Sequence, residues 1–160
     1  MRREKPKTAV FLLLGELLRS DRLPPVTLAV VALNVVVYLD LFEEIASWPL
    51  SAVCISAYGI VQQRQWLRLI LSPFFHGDDW HLYYNMVSFS IKGRSLEQRH
   101  GSVYFAVLLA VFTVACSGMY VAVEYASYWF LGNRESLDSC AIGYSGVIFA
   151  LKVLTTHDLP

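Results

Sequence analysis

The sequence predicts an all-α, polytopic membrane protein with about four transmembrane helices. Of its 160 residues, 56% are hydrophobic and only 16% are charged, and the mean hydropathy is +0.46. Soluble domains carry about a quarter charged residues, so this apolar content excludes a disordered chain and indicates a lipid bilayer as partner. The 13 basic and 13 acidic residues balance each other, and no nucleic-acid partner is therefore expected.

Residues 1–22 form a basic segment ahead of the first predicted span. Its apolar stretch Thr8–Leu18 is interrupted by Glu16 and is not followed by a small-residue cleavage site, which argues against a signal peptide. We expect a short amphipathic helix on the cytosolic surface.

Four segments fit transmembrane helices, with approximate bounds of residues 23–42, 80–98, 102–124 and 144–158. The first contains the uncharged run Leu23–Leu39, and the third contains Val103–Val123, which is long enough to cross a bilayer. The second and fourth have shorter uncharged runs and contain polar side chains. Because polar groups are costly in lipid, these two spans are expected to face the interior of a helix bundle.

The distribution of Lys and Arg predicts the orientation. Six basic residues precede the first span, whereas the connection over residues 45–79 has only Arg64 and Arg68. Cytosolic connections carry the excess of Lys and Arg. The N-terminus and the turn Lys92–Gly101 are therefore expected in the cytosol, and the connections that precede the second and fourth spans are expected on the opposite side.

The uncharged run Ile45–Gln63 has two interpretations. Its length would allow a fifth span, but Pro49, Gly59 and several serines make it a poor lipid-facing helix. A first loop over residues 45–79, lying in the membrane interface, is favoured. Its aromatic side chains at the interface would be Trp48, Tyr58 and Trp66.

The three cysteines do not form a disulfide framework. Cys116 lies in the third span and is expected to be a small apolar core residue. Cys54 and Cys140 fall on the same, non-cytosolic side, where a disulfide can form. The sequence does not give their separation, and unbonded thiols are favoured.

Ser145 stands between Gly143 and Gly146 at the start of the fourth span. Glycine permits close backbone approach, and a helix N-terminus offers unpaired N–H groups to a developing oxyanion. Taken alone, the Gly-x-Ser-Gly pattern favours simple helix packing.

His81 and Asn85 are four residues apart and so share one face of the second span. One interpretation is that the two side chains form an interhelical hydrogen-bond pair, which needs no catalytic role. However, the second and fourth spans both start at the non-cytosolic side, which places His81 and Ser145 at a similar depth. A serine nucleophile with two side-chain donors at one level is typical of an acyl-transfer site.

Three separated segments together resemble the rhomboid intramembrane serine proteases. They are His76–Asn85, Glu97–Gly101 and Gly143–Leu151, which follow the family patterns His-x4-His-x3-Asn, Glu-x-Arg-x-Gly and Gly-x-Ser-Gly in order. The sequence is most similar to the endoplasmic-reticulum rhomboids of animals. The resemblance implies a partial rhomboid fold over residues 23–158, comprising the first four of the family's six transmembrane helices, in a multi-pass protein of that membrane.

The resemblance also implies roles for single residues. Ser145 matches the nucleophile, His81 and Asn85 match the side-chain donors of the oxyanion hole, and Gly143 and Gly146 shape the motif backbone. The residues that match structural positions of the family are Trp66, Arg68, Glu97, Arg99 and Gly101. His76 matches a loop histidine without an assigned role. No metal or other cofactor is expected.

The general base is missing from the expected set. In rhomboids it is a histidine of the sixth helix in an Ala-His-x-x-Gly setting, and no such motif occurs here. His157, the only histidine after Ser145, lies twelve residues further on, or about 18 Å along a helix. We expect the chain to be inactive alone. It would be a fragment of a longer protease, a natural short product, or one part of an assembly in which another chain supplies the histidine.

Two functions therefore compete. The first is a rhomboid serine endopeptidase that cleaves transmembrane protein substrates through Ser145. The second is a non-catalytic binder of unstable transmembrane segments, comparable to inactive rhomboids or derlins, with the quality-control machinery of the endoplasmic reticulum as a partner.

Overall fold

A computed structural model describes residues 7–19 and 22–157, and within these ranges the chain is nearly all helical. The α-helices are α1 Thr8–Arg19, α2 Pro25–Tyr38, α3 Glu43–Ala46, α4 Leu50–Val53, α5 Ala57–Val61, α6 Arg68–Leu71, α7 Asp79–His100, α8 Ser102–Leu131, α9 Glu135–Asp138 and α10 Ser145–His157. A 3₁₀ turn, Ser72–Phe74, follows α6. The basic residues at positions 2, 3 and 5, and the predicted end of the fourth span at residue 158, lie outside the described residues.

Helix α8 is the one helix of the described ranges that is long and apolar enough to cross a membrane. Its 30 residues lie between Gly101 (φ 84°) and Gly132 (φ 68°), two backbone conformations that glycine adopts without strain. Helices α2 and α10 are apolar but shorter. Helices α2 and α10 lie within the first and fourth predicted spans, whereas α7 and α8 cover the second and third and extend beyond them, α8 as far as Leu131. The number of helices that cross the membrane stays a prediction.

Helix α7 occupies the centre of the bundle and packs against α1, α2, α8 and α10. Its buried Phe89 contacts Tyr144 edge to face, with ring centroids 5.3 Å apart, and stacks on Phe105 at 6.3 Å. At Gly93 a Cβ atom would lie 2.8 Å from the Thr27 hydroxyl oxygen, so the glycine permits the close crossing of α2. The shared core is formed by Val10, Leu13, Val31, Val35, Tyr38, Leu82, Met86, Phe89, Leu96, Phe105, Leu109, Tyr144, Val147, Ile148 and Leu151.

Helix α1 lies alongside α7 and runs in the same direction. Near its start the Ala9 N–H donates to the Asp79 carboxylate (3.1 Å), and one α7 turn later the Tyr83 hydroxyl donates to Glu16 (2.9 Å). Ala9, Val10 and Leu13 are buried in this contact. A helix was predicted in this segment. Its start lies beside Asp79, at the end of α7 opposite the Lys92–Gly101 turn, whereas the charge distribution predicts both in the cytosol.

The predicted first loop contains short helices rather than a long one. Within Ile45–Gln63 the structure forms α4 and α5, of four and five residues, which are far below the length of a span.

Cys54 and Cys140 form a disulfide, with Cα atoms 5.6 Å apart, so the expectation of unbonded thiols is wrong. The physical reason is an antiparallel bridge between Ile55 and Ala141. The two residues exchange N–H···O hydrogen bonds of 2.9 and 3.0 Å. This bridge aligns segments that are 86 residues apart in the sequence, a contact that no local pattern encodes.

Candidate active site

Ser145 is the first residue of α10 and is exposed, while the preceding Tyr144 is buried. Tyr144 packs against Phe74 and Phe89, with ring centroids 5.5 and 5.3 Å away. Gly143 has φ +104°, and its N–H donates to the Ser72 carbonyl (3.0 Å). The serine is therefore presented at a helix N-terminus by a turn that glycine favours and a buried aromatic residue holds in place.

His81 and Asn85 lie beside this turn. A Cβ atom on Gly143 would be 2.7 Å from both Cε1 and Nε2 of His81, and 3.5 Å from Nδ2 of Asn85. The structure thus brings together the Ser145 motif and both predicted oxyanion donors, from segments that are distant in the sequence. It also gives Gly143 a second reason to be glycine, since any side chain would collide with the imidazole.

The first turn of α7 fixes the backbone of His81. The Asp78 carboxylate accepts the His81 N–H at 2.8 Å and caps the helix. Asn85 is 7% exposed, and its Nδ2 has no hydrogen-bond partner within the described part of the chain. A buried amide donor without an acceptor is costly, and it is available to an oxygen atom that enters the site.

A cavity of about 140 Å³ opens beside Ser145, between the end of the first loop, α8 and the start of α10. Cys116 of α8 borders it, and its thiol lies 3.5 Å from the Gly146 carbonyl oxygen. One turn further along α8, the Tyr120 hydroxyl shares a hydrogen bond of 2.9 Å with the Ser139 hydroxyl. The predicted core residue Cys116 is thus only partly buried and faces this cavity.

His76 is buried behind His81. Its side chain is 2% exposed, and its ring meets the His81 ring edge to face with centroids 5.0 Å apart. Burial, and secondarily the neighbouring His81, lower the pKa of His76 from its ordinary value of 6.5 to about 3. The ring is therefore neutral at physiological pH.

Of the predicted structural residues, Arg68, Glu97 and Gly101 connect elements around the site. The Arg68 guanidinium donates to the carbonyls of Ser51 (3.0 Å) and Cys54 (2.8 Å) and so gathers the first loop next to the disulfide. Trp66, by contrast, is 58% exposed. At the other end of α7, Gly101 joins α7 to α8 with its positive φ, and Arg99 is exposed in the last turn.

Glu97 is 2% exposed, and its carboxylate accepts four hydrogen bonds. It takes the backbone N–H groups of Val26 (2.9 Å) and Thr27 (2.7 Å). The Thr27 and Ser102 hydroxyls, each at 2.7 Å, complete the set. Glu97 therefore caps the N-terminus of α2 from a neighbouring helix and fixes where α2 meets α7.

The other histidines of the sequence lie away from Ser145 along the chain. His100 ends α7 and packs against Tyr104 at 5.2 Å. Helix α10 is continuous from Ser145 to His157. That neither acts as the base stays a prediction.

Sequence reasoning missed several parts of the site. The pair Asp78-Asp79 ahead of an apolar helix is a recognisable N-cap signature and could have predicted the start of α7. The contacts of His76 with His81 and of Gly143 with Ser72 join separate segments, and no sequence pattern within one segment predicts them.

Comparison with known proteins agrees with this architecture. The Rhomboid domain family matches residues 63–160. Rhomboid-related protein 4 of Rattus norvegicus is 43% identical over 155 residues, which are 96% of this chain and 48% of that protein. The Homo sapiens protein of the same name is 42% identical over 155 residues, again 96% of this chain and 48% of that protein.

A plant protein, "Rhomboid-like protein 14, mitochondrial" of Arabidopsis thaliana, is 36% identical over 135 residues, which are 82% of this chain and 40% of the plant protein's length. The chain spans about half the length of the mammalian relatives that it matches. Since the family match covers more than half of the chain and includes the turn around Ser145, the chain belongs to the rhomboid family, whose members are membrane proteins.

Proposed function

We propose that this chain carries the nucleophile and the oxyanion-stabilising half of a rhomboid serine endopeptidase that cleaves transmembrane protein substrates. The observation that carries the proposal is the contact of His81 and Asn85 with the turn that presents Ser145. Ser145 would act at the entrance of a cavity and at a helix N-terminus, a favourable place for negative charge.

In the proposed reaction Ser145 Oγ bonds to the carbonyl carbon of the scissile peptide, and its proton passes to a base. The carbonyl oxygen becomes an oxyanion, which His81 and Asn85 stabilise by donating hydrogen bonds. The C–N bond then breaks, the leaving amine takes the proton, and an ester on Ser145 remains. Water attacks that ester by the same route, which releases the new carboxyl end and restores the serine.

The base is the part that these residues do not supply. The family resemblance assigns it to a histidine of a later helix, and His157 lies about 18 Å from Ser145 along α10. We propose that the 160 residues become active only when a histidine from outside them reaches Ser145.

The proposed setting is a multi-pass protein of the endoplasmic reticulum that crosses the membrane with α2, α7, α8 and α10. The similarity to Rhomboid-related protein 4 supports this family branch, and the basic residues of the Lys92–Gly101 turn support a cytosolic location for that end of α7. Its partners would be transmembrane substrates and quality-control machinery.

The second candidate is a non-catalytic rhomboid-like protein that binds transmembrane segments without cutting them. The observation in its favour is that His81, the histidine beside the serine turn, is assigned as an oxyanion donor, which leaves no base assigned among the described residues. In that case Ser145 would be dispensable for binding a substrate.

Cleavage of a transmembrane reporter substrate by the full-length gene product tests the proposal. Ser145→Ala should abolish cleavage without preventing substrate binding, because only the nucleophile is lost. The matched control is Ser95→Ala, on the exposed surface of α7, which should cleave at the normal rate. Equal cleavage by wild type and Ser145→Ala would refute the protease, and substrate capture without any cleavage by the wild type would favour the binder.

A further inference from the structure

His76 is a buried histidine that the proposed reaction leaves without a role. Its side chain is 2% exposed, and no side chain of the described residues bonds to its ring nitrogens, while the Phe74 backbone lies within reach of the ring. Because burial and the contact with a neighbouring ring hold His76, its influence on His81 is exerted mainly through its shape.

The group that His76 contacts is His81. The two rings meet edge to face, with centroids 5.0 Å apart and planes inclined by 70°, an arrangement that aromatic rings prefer. The Cε1–Nε2 edge of His81 faces Gly143, which has no side chain to fill the space between them. His81 is therefore confined by a ring on one part of its surface and by the serine turn on another.

The segment that carries His76 is itself tied to the serine turn. The Ser72 carbonyl accepts the Gly143 N–H at 3.0 Å, and Phe75, 8% exposed, packs in one cluster with Ile142. A Cβ atom on Gly77 would come within 3.8 Å of the Ile142 side chain. The position of His76 relative to Ser145 is thus set by contacts on both sides of it in the sequence.

We propose that His76 is a positioning residue of the oxyanion hole: its ring holds the His81 imidazole in the orientation that aims Nε2 at the oxyanion. This inference rests on the proposed protease function. The χ2 torsion of histidine is broad, so an imidazole without a neighbouring ring samples orientations in which Nε2 points away. A misaligned donor stabilises the transition state less, while substrate binding in the ground state is little affected.

The test measures kcat and KM of the purified full-length protein on a transmembrane reporter. His76→Ala removes the ring and should lower kcat by about tenfold, a fraction of the loss that follows removal of a whole oxyanion donor, with KM within about twofold of wild type. His76→Phe keeps an aromatic ring and should retain most of kcat. The control His100→Ala lies at the other end of α7 and should leave both constants unchanged.

The decisive comparison is His76→Ala in the background of His81→Ala. If His76 acts through His81, the double variant should be no slower than His81→Ala alone, since residues that act as one unit give non-additive losses. A tenfold further loss, or wild-type kcat in the single His76→Ala variant, would overturn the proposal. If His76→Ala fails to fold, kcat of the His76→Phe variant decides: a loss as large as that of His81→Ala would exclude a role through ring shape.

Ser145→Ala, measured in the same series, separates this proposal from the protease function. If Ser145→Ala cleaves normally, the protease function fails. If Ser145 is required and His76→Ala behaves as wild type, only the role of His76 fails.

Discussion

At the scale of single residues, the environment of Asn85 fits its proposed role as an oxyanion donor. Its amide is 7% exposed with Nδ2 unpaired within the described part of the chain, and it lies against Gly143 next to His81. A bundle that needed only stability would pair or replace this donor. The unpaired donor is the arrangement expected where charge develops during a reaction.

Replacing either donor should slow catalysis. His81→Ala or Asn85→Ala in the full-length protein should reduce kcat by about ten- to a thousandfold, because one hydrogen bond to the oxyanion is lost. Asn133→Ala, on the exposed connection after α8, is the control. Wild-type rates in both donor variants would refute the oxyanion role.

The pKa of His76 gives a pH dependence of stability. The folded-state pKa is lowered from 6.5 to about 3, so the unfolded chain binds the proton first as the pH falls. The free energy of unfolding should therefore decrease below pH 6.5, by up to about 1.4 kcal/mol per pH unit from this group. Thermal unfolding in detergent at pH 7.5 and 5.0 measures this loss of stability, and the loss between the two pH values should be smaller in His76→Phe than in wild type. Equal decreases in both proteins would contradict the assignment.

At the scale of helices, the junction of α2 with α7 depends on one carboxylate. Glu97 accepts two backbone N–H groups at the start of α2, where helical donors have no partner of their own. This explains in physical terms why the glutamate of the family motif lies at the end of α7 rather than near the serine.

Glu97→Ala should destabilise the bundle by about 3 kcal/mol, since it leaves buried donors without an acceptor. The neighbouring residue Gln98 is exposed, so Gln98→Ala is a matched control with little expected effect. Unfolding free energies from denaturant titration in mixed micelles measure both. An equal stability of the two variants would contradict the capping role.

The same scale shows what the sequence could and could not predict. The apolar run Val103–Val123 is a local signal and predicted α8, and the cap at Asp78 is a local signal for the start of α7 that the sequence reasoning missed. That His81 and Ser145 lie at a similar depth was predicted from the direction of their two spans, and the family pattern added their roles. The packing of α1 along α7 depends on contacts between Ala9 and Asp79, 70 residues apart, and no periodicity encodes it.

At the scale of the whole molecule, the disulfide and the adjacent bridge link the first loop to the start of α10. Cys140 of the disulfide lies five residues before Ser145. The Arg68 guanidinium donates a hydrogen bond to the carbonyl of the other half-cystine, Cys54. The first loop is therefore part of the support of the serine turn. The composition that indicated a membrane protein carries no information about this connection.

Removing the disulfide should lower stability markedly. In the chain-entropy description, a bond that closes a loop of 86 residues contributes about 4.6 kcal/mol, so the double variant Cys54→Ser/Cys140→Ser should unfold at a lower temperature. Cys116→Ser removes the free thiol and serves as the control. A reducing agent should lower the unfolding temperature of wild type but not of the double variant, and insensitivity of wild type would show that the bond is absent.

The central claim is that Ser145 is a rhomboid nucleophile that depends on a base from outside the 160 residues. Labelling with a fluorophosphonate probe tests it most directly, in the full-length gene product, in its Ser145→Ala variant and in the 160-residue chain. We predict strong labelling at Ser145 in the first, none at that position in the second and little in the third. Labelling of the 160-residue chain as strong as that of the full-length protein, or undiminished labelling of Ser145→Ala, would contradict the claim.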